Sequence, residues 1–272
     1  MTELSNAVVL ITGAAGGFGQ ELTRQLFVLG SQLILTDIDK GQLEETADAI
    51  ARALPQPSQG KILARLEADL SSREGCDRLY RQVQDFCQSS DIQVDVVINN
   101  AGIAMYGRMD EVPQDQWERL MQVNLLSPMR LSTLFAAEMV KRRQGHIVNI
   151  SSIAGWLVPP GLAHYSASKF GLRGFSEGLY NELSPHNVNV TVVYPYFSRT
   201  PILEATRYGS LAELPTFSPE TNATDPARIM AATIRAIQQE KLHVFPDAIA
   251  NSIQMLRRLF PNLSNWVIRR AS

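Results

Sequence analysis

Tyr165 and Lys169 stand four positions apart in "AHYSASKFG" (163–171), among small residues. On a helix this spacing puts both on one face, with the ammonium one turn from the phenol. Tyrosine ordinarily titrates near ~10, and a nearby cation that favours the phenolate makes the hydroxyl a usable general acid or base. Taken alone, the pair also fits a solvated helix surface.

A second group of residues suits a different task. In "TGAAGGFG", Gly13, Gly17 and Gly19 sit where an apolar run hands over to a helical pattern, with Phe18 between the last two. Glycines there let the backbone turn tightly and approach a pyrophosphate, which then meets free N–H groups at the helix start. Asp37 closes the next apolar run eighteen residues past Gly19. Its carboxylate can accept both ribose hydroxyls of an adenosine and would repel a 2′-phosphate. NAD is therefore preferred over NADP, since Ile38 follows Asp37 and the loop contains no cation; Lys40 is the one nearby. The plainer readings are a glycine-rich turn and a loop-capping carboxylate.

Chemistry of this kind needs elements that hold the two groups together. Short unbroken apolar runs alternate with helical patterns, as buried parallel strands covered by helices require. The runs predict strands at 7–12, 32–37, 61–69, 94–100, 145–152, 188–195 and 242–246, and helices near 17–29, 40–53, 72–88, 115–143, 163–183 and 225–239. Gly30 fits a helix C′ position, and Ser71 with Glu74 reads as a capping box. "ALPQPSQG" (53–60) is a turn-rich connector. The pattern is an α/β, doubly wound, mainly parallel seven-stranded sheet with helices on both faces, and its ligand crevice lies at the carboxyl ends of the strands where their order reverses.

"ITGAAGGFG", "NNAG" (99–102), "NISS" (149–152) and "YSASK" (165–169), in this order and on these elements, resemble the short-chain dehydrogenase/reductase superfamily over about residues 5–200. The resemblance implies a Rossmann fold and hydride transfer with NAD or NADP. It implies that Ser152 bonds the substrate oxygen, Tyr165 passes the proton, and Lys169 bonds the nicotinamide ribose while depressing the tyrosine pKa. Asn100, Ala101 and Gly102 would line the adenosine side of the cleft, Asp69 and Leu70 would meet the adenine, and Pro195 and Thr200 would contact the nicotinamide end. Asn124 precedes Pro128, which has no N–H to give to its carbonyl. The resemblance suggests that this carbonyl holds a water joining Lys169 to solvent; a simple helix kink is the alternative.

One departure stands out in "YPYFSRT": Tyr196 occupies the position where the family has glycine after Pro195. The local path or the pocket should then be altered. Trp156, Leu157, Val158, Leu162, Tyr196, Phe197 and Ile202 would make an apolar substrate wall without an anchoring cation, which favours an apolar alcohol or ketone; they could equally pack a lid. We read residues 1–272 as one domain, with the core at 5–200, a substrate lid at 201–223 and a C-terminal helical extension at 248–272. In that extension Ile249, Ile253, Leu256, Phe260, Leu263, Trp266 and Val267 recur at helical spacing. The helix could cover the pocket, join a subunit, or rest on a membrane surface with Arg257, Arg258, Arg269 and Arg270 at the headgroups.

A net charge of −2 and the lack of a long basic run argue against nucleic acid as a partner. No apolar run reaches the ~18 residues of a membrane span, and the acidic start does not suit a signal peptide. Cys76 and Cys87 share one predicted helix, about 16 Å apart along its axis, beyond disulfide reach. Free thiols suit a reducing cytoplasm, and no Cys/His cluster suggests a metal. The expectation is an NAD(P)-dependent oxidoreductase interconverting an apolar secondary alcohol and a carbonyl, a homodimer or homotetramer by family analogy. The alternatives are an NADP-dependent carbonyl or 3-oxoacyl reductase, and a noncatalytic dinucleotide-binding scaffold.

Overall fold

The computed structural model describes residues 1–53, 60–211 and 223–262. Seven parallel strands form the central sheet: β1 (Val8–Thr12), β2 (Gln32–Asp37), β3 (Lys61–Glu67), β4 (Val96–Asn99), β6 (Gly145–Ile150), β7 (Val188–Val193) and β9 (His243–Val244). Their order is β3-β2-β1-β4-β6-β7-β9, so the chain reverses direction across the sheet between β1 and β4. That reversal opens a crevice at the carboxyl ends of those two strands.

The unbroken apolar runs follow from burial on both faces. Val9 and Ile11 of β1 join Leu22 and Leu26 of α1 (Gly17–Val28), Leu43 of α2 (Lys40–Ala53) and Ile229 and Ile234 of α7 (Pro226–Gln238) in one core. Their neighbours Val8 and Leu10 turn the other way, toward Leu79 and Val83 of α3 (Arg73–Ser90), Leu131 and Phe135 of α5 (Ser127–Arg142) and Leu179 of α6 (Ala163–Leu183). One strand thus feeds two cores. Cys76 and Cys87 are buried free thiols on α3.

Four details differ from the expected pattern. The α3 cap is Ser72, whose hydroxyl accepts the Gly75 N–H at 3.1 Å, so a simple serine cap one residue on replaces the expected Ser71–Glu74 box. The long helix expected at 115–143 is broken into α4 (Gln114–Met121), a π-helical turn (Gln122–Leu126) and α5. Pro128 lies in the first turn of α5, where a missing N–H is tolerated, and the extra residue of the π turn absorbs the irregularity around Asn124. The last strand shrinks to His243–Val244. Finally, β5 (Met105–Gly107) and β8 (Thr206–Tyr208) pair in parallel in a small second sheet. Three-residue strands leave too little alternation to be read from sequence.

The C-terminal extension begins as α8 (Ala248–Leu259). Leu263, Trp266, Val267, Arg269 and Arg270, residues 212–222 of the expected lid and most of the 53–60 connector lie outside the described residues. Among the described residues no helix is long and apolar enough to cross a membrane.

Candidate active site

The crevice between β1 and β4 is built by two motifs bonded to each other. Gly13 has φ +65°, and a Cβ there would lie 2.8 Å from Ala101 Cα, so both conformation and space demand glycine. Asn100 Nδ2 donates to the Thr12 and Gly13 carbonyls at 2.9 and 3.0 Å, while Thr12 Oγ1 accepts the Asn100 and Ala101 N–H groups, both at 3.0 Å. Gly19 lets α1 press against the loop, since its Cβ would meet the Gly13 carbonyl oxygen at 2.0 Å. Phe18 packs against the neighbouring core.

Asp37 does more than close β2. One carboxylate oxygen accepts the Ala15 N–H at 2.9 Å and the other the Ile38 N–H at 2.8 Å, so the side chain splints the glycine loop. Asp69 accepts the Ser71 N–H at 2.8 Å, and its bonds to Ser71 hold its carboxyl below the usual range. Leu70 is buried in the core, with its carbonyl accepting the Ser127 hydroxyl at 2.6 Å. A cleft of about 440 Å³ opens over the glycine loop, bordered by Gly17, Gln20, Arg199, Pro201 and Asp225.

Ser152 follows β6 and caps a short 3₁₀ turn (Ile153–Gly155), its hydroxyl accepting the Ala154 N–H at 3.1 Å. It also hydrogen-bonds Tyr165, in the first turn of α6. Lys169 is buried one turn along; its ammonium donates to the Ile150 carbonyl at 3.0 Å and lies 5.6 Å from the centroid of the Tyr165 ring. Tyr165, Ser152 and Lys169 thus meet around the end of β6.

The electrostatics correct one expectation. Burial pushes the Tyr165 phenol up to about 12, outweighing the Ser152 hydrogen bond that lowers it, and burial pushes Lys169 down to about 8. The ammonium therefore does not bring the phenol toward neutrality: it turns to the Ile150 carbonyl, and desolvation dominates both groups.

Asn124, in the π turn, pairs with Ile103 through its side chain, accepting the N–H and donating to the carbonyl at 2.8 Å each. A Cβ on Gly102 would lie 3.4 Å from Asn124 Oδ1 and 3.6 Å from Lys169 Nζ, so these three residues converge on one point. His164, which the sequence reading left unassigned, is buried and donates from Nε2 to the Met105 carbonyl at 3.1 Å, tying the start of α6 to β5.

On the far side, Ile153 N–H donates to the Pro195 carbonyl at 2.9 Å, joining the Ser152 turn to the loop after β7. Tyr196 needs no glycine-like conformation, since it is not among the residues of positive φ. Its N–H donates to Asp247 at 3.1 Å, and its ring packs edge-on against Phe197 with centroids 5.0 Å apart. The other Asp247 oxygen caps α8, accepting the Ala250 N–H at 2.7 Å. An aspartate before an apolar helical run is a legible cap signal, but its reach to Tyr196, far away in sequence, is not. Thr200 lies beside the glycine loop: a Cβ on Gly17 would come within 2.6 Å of its methyl carbon.

Trp156 departs from the apolar-wall picture. Arg173 stacks on its ring at 3.4 Å, and Tyr194 and Phe245 pack edge-on against it. It borders a cleft between α6 and α8 whose lining includes neither Ser152 nor Tyr165. Leu157 continues that turn, its N–H donating to the Ile153 carbonyl at 3.0 Å, while Val158 and Ile202 are exposed.

Comparison with known proteins places this geometry. Residues 7–210 match the family model described as short chain dehydrogenase. The chain is 28% identical over 243 residues to an acetoacetyl-CoA reductase of Acinetobacter sp., covering 89% of this chain and 95% of that one. It is 31% identical over 261 residues to epidermal retinol dehydrogenase 2 of Mus musculus, covering 95% and 79%. Among solved structures, a short-chain dehydrogenase from Sphingobium yanoikuyae in complex with NADPH superposes with TM-score 0.76 at 26% identity, covering 93% and 94%. A Burkholderia phymatum short chain dehydrogenase/reductase in complex with NAD gives TM-score 0.80 at 25% identity, covering 97% and 96%.

Proposed function

The chain belongs to the short-chain dehydrogenase family, and on that premise we propose that this dehydrogenase/reductase interconverts an apolar secondary alcohol and its carbonyl, with NAD preferred over NADP. The observation that carries the proposal is the meeting of the Tyr165 phenol, the Ser152 hydroxyl and the Lys169 ammonium at the end of β6.

The loop fits a dinucleotide. Gly16, the N-cap of α1, contributes no side-chain hydrogen bond and the first turn carries no acid, so its N–H groups suit a pyrophosphate. Gly13, Gly17, Gly19 and Asp37 would hold the adenosine and phosphates, with Asn100, Ala101, Gly102, Asp69 and Leu70 beside them. Pro195 and Thr200 would flank the nicotinamide end. The bound dinucleotide supplies or accepts the hydride.

The chain's own part is the proton and the oxygen. With its phenol at about 12, Tyr165 holds its proton at neutral pH, the form that donates to a carbonyl oxygen being reduced. Ser152 steadies that oxygen. Lys169, at about 8, keeps most of its charge at pH 7 and lies beside Asn124 and Gly102, where a water held by the Asn124 backbone carbonyl would join it to solvent and replenish the proton. In the oxidising direction the same tyrosine must first lose its proton, which favours higher pH. Tyr196 and Leu157 would border the substrate; Trp156 is left to the α6–α8 cleft.

The likeness to an acetoacetyl-CoA reductase supports a second reading, reduction of a 3-oxoacyl thioester. A panel of aliphatic, steroid, retinoid and acyl ketones and alcohols, followed by nicotinamide absorbance with each dinucleotide, separates the two. Turnover confined to acyl thioesters with NADPH would overturn the first reading. A cytoplasmic homodimer or homotetramer completes the proposal, by analogy with relatives.

A further inference from the structure

On the reading of the crevice between β1 and β4 as the dinucleotide site, we propose that Arg199 holds the pyrophosphate there, supplying the positive charge that the glycine loop lacks. Arg199 is the one cation among the described residues that line the cleft over this loop, where it shares the rim with Gly16, Gly17, Gln20 and Pro201. The loop itself offers only N–H groups. Gly16 adds no side-chain cap to α1, and Gly17, Phe18, Gly19 and Gln20 of its first turn carry no charge. A helix N-terminus is equivalent to about half a positive charge, less than the negative charge a pyrophosphate brings.

The backbone presents Arg199 at the start of α1. Its neighbour Thr200 lies against that helix end, since a Cβ on Gly17 would come within 2.6 Å of the Thr200 methyl carbon. Ser198 forms a parallel bridge with Thr224. The Arg199 N–H donates to the Thr224 carbonyl at 3.3 Å, the Thr224 N–H to the Phe197 carbonyl at 2.9 Å, and the Thr200 N–H to the Ser198 carbonyl at 2.7 Å. The main chain is thus pinned around Arg199, while its side chain is exposed.

The charge balance of the cleft calls for this guanidinium. Two carboxylates border it, and each has another partner: Glu21 pairs with Arg24, and Asp225 caps α7 by accepting the Ala227 N–H at 3.0 Å. Among the described residues no carboxylate pairs with Arg199. Glu21 and Asp225 would repel phosphate oxygens, and a cation on the same rim offsets them. A guanidinium also presents paired N–H donors that match two phosphate oxygens, which an ammonium does not.

Calorimetric titration of the full chain, without turnover, tests the role. ADP carries the phosphates without the nicotinamide, and it is titrated into the parent, R199A and R199K at low and high salt. We expect about tenfold weaker ADP binding by R199A, the size of one lost hydrogen bond to a charged group. R199K, which keeps the charge but not the fork, should recover part of the loss. The salt dependence of ADP binding should be shallower in R199A than in the parent, a change that a merely structural arginine would not produce. Arg199 is exposed, and unchanged thermal melts check that R199A folds. Unchanged ADP affinity in R199A, or a loss with unchanged salt dependence, would overturn the role. So would loss of NADP binding with NAD binding kept, which would assign the guanidinium to a 2′-phosphate. Failure of the parent itself to bind ADP would overturn the dinucleotide reading, and this role with it.

Discussion

The backbone N–H of Tyr196 donates to the carboxylate of Asp247 at 3.1 Å, and the other oxygen of that carboxylate caps α8. One side chain thereby joins the C-terminal helix to the loop leading to Thr200. It also explains how a tyrosine stands where the family has glycine: the N–H is held, and the backbone there needs no positive φ. Asp247→Ala should raise the KM for dinucleotide several-fold with a smaller effect on kcat, and cost about 1 kcal/mol of stability as a lost cap. Asp247→Asn, which keeps one acceptor oxygen where the aspartate uses two, should recover part of the KM. Equal loss in both variants would contradict the role.

On the proposed preference for NAD, Asp37 has two roles that one substitution can separate. Its bond to the Ala15 N–H needs an acceptor oxygen, whereas rejection of a 2′-phosphate needs the charge. Asp37→Asn should keep the loop folded and bind NADP more tightly than the parent does, narrowing the preference for NAD by about tenfold or more. Calorimetric titration with both dinucleotides measures this; an unchanged ratio would place the discrimination elsewhere.

Lys169 is kept at a cost in stability. Burial lowers its pKa to about 8 from an ordinary 10.5, so the folded chain binds this proton more weakly than the unfolded one, and the penalty is fully present below pH 8 and relieved as pH rises toward 10.5. Lys169→Met should therefore stabilise the fold at pH 7 by on the order of 2 kcal/mol after losing the bond to Ile150, seen as a higher Tm, while abolishing turnover. A lower Tm would show that the Ile150 contact outweighs desolvation.

His146 predicts an acid limb. It is buried between Thr2 and Thr191, each 2.8 Å from a ring nitrogen, and burial pushes it to about 4. Unfolded histidine takes a proton near ~6.5 while the folded ring resists it, so stability should fall as pH drops from about 6.5 to about 4. Thermal melts across that window should show the slope, and His146→Gln should flatten it.

Much of this molecule was legible because its signals are local. Both-face burial made Val8–Thr12 and Val188–Val193 continuous apolar runs, and the boundaries of α2 and α6 coincide with the periodic segments. Gly13, Asn100, Tyr165 and Lys169 were visible because backbone approach and helix spacing leave fixed residue types. What escaped was non-local or energetic. The β5–β8 pairing and the Asp247–Tyr196 bond join segments far apart in sequence, and the π turn depends on how Asn124 meets Ile103. The direction of the Tyr165 shift was misjudged because spacing reveals a neighbouring charge but not the depth at which both groups are buried. Trp156 read as pocket wall because its cationic partner, Arg173, lies on another element.

The central claim is that the Tyr165 hydroxyl is the proton donor and acceptor. Tyr165→Phe removes that oxygen and leaves the ring, so steady-state kinetics on a substrate found in the panel should show kcat reduced by about 10² to 10⁴, with dinucleotide affinity within about twofold of the parent. A phenylalanine variant that turns over as fast as the parent would contradict the account.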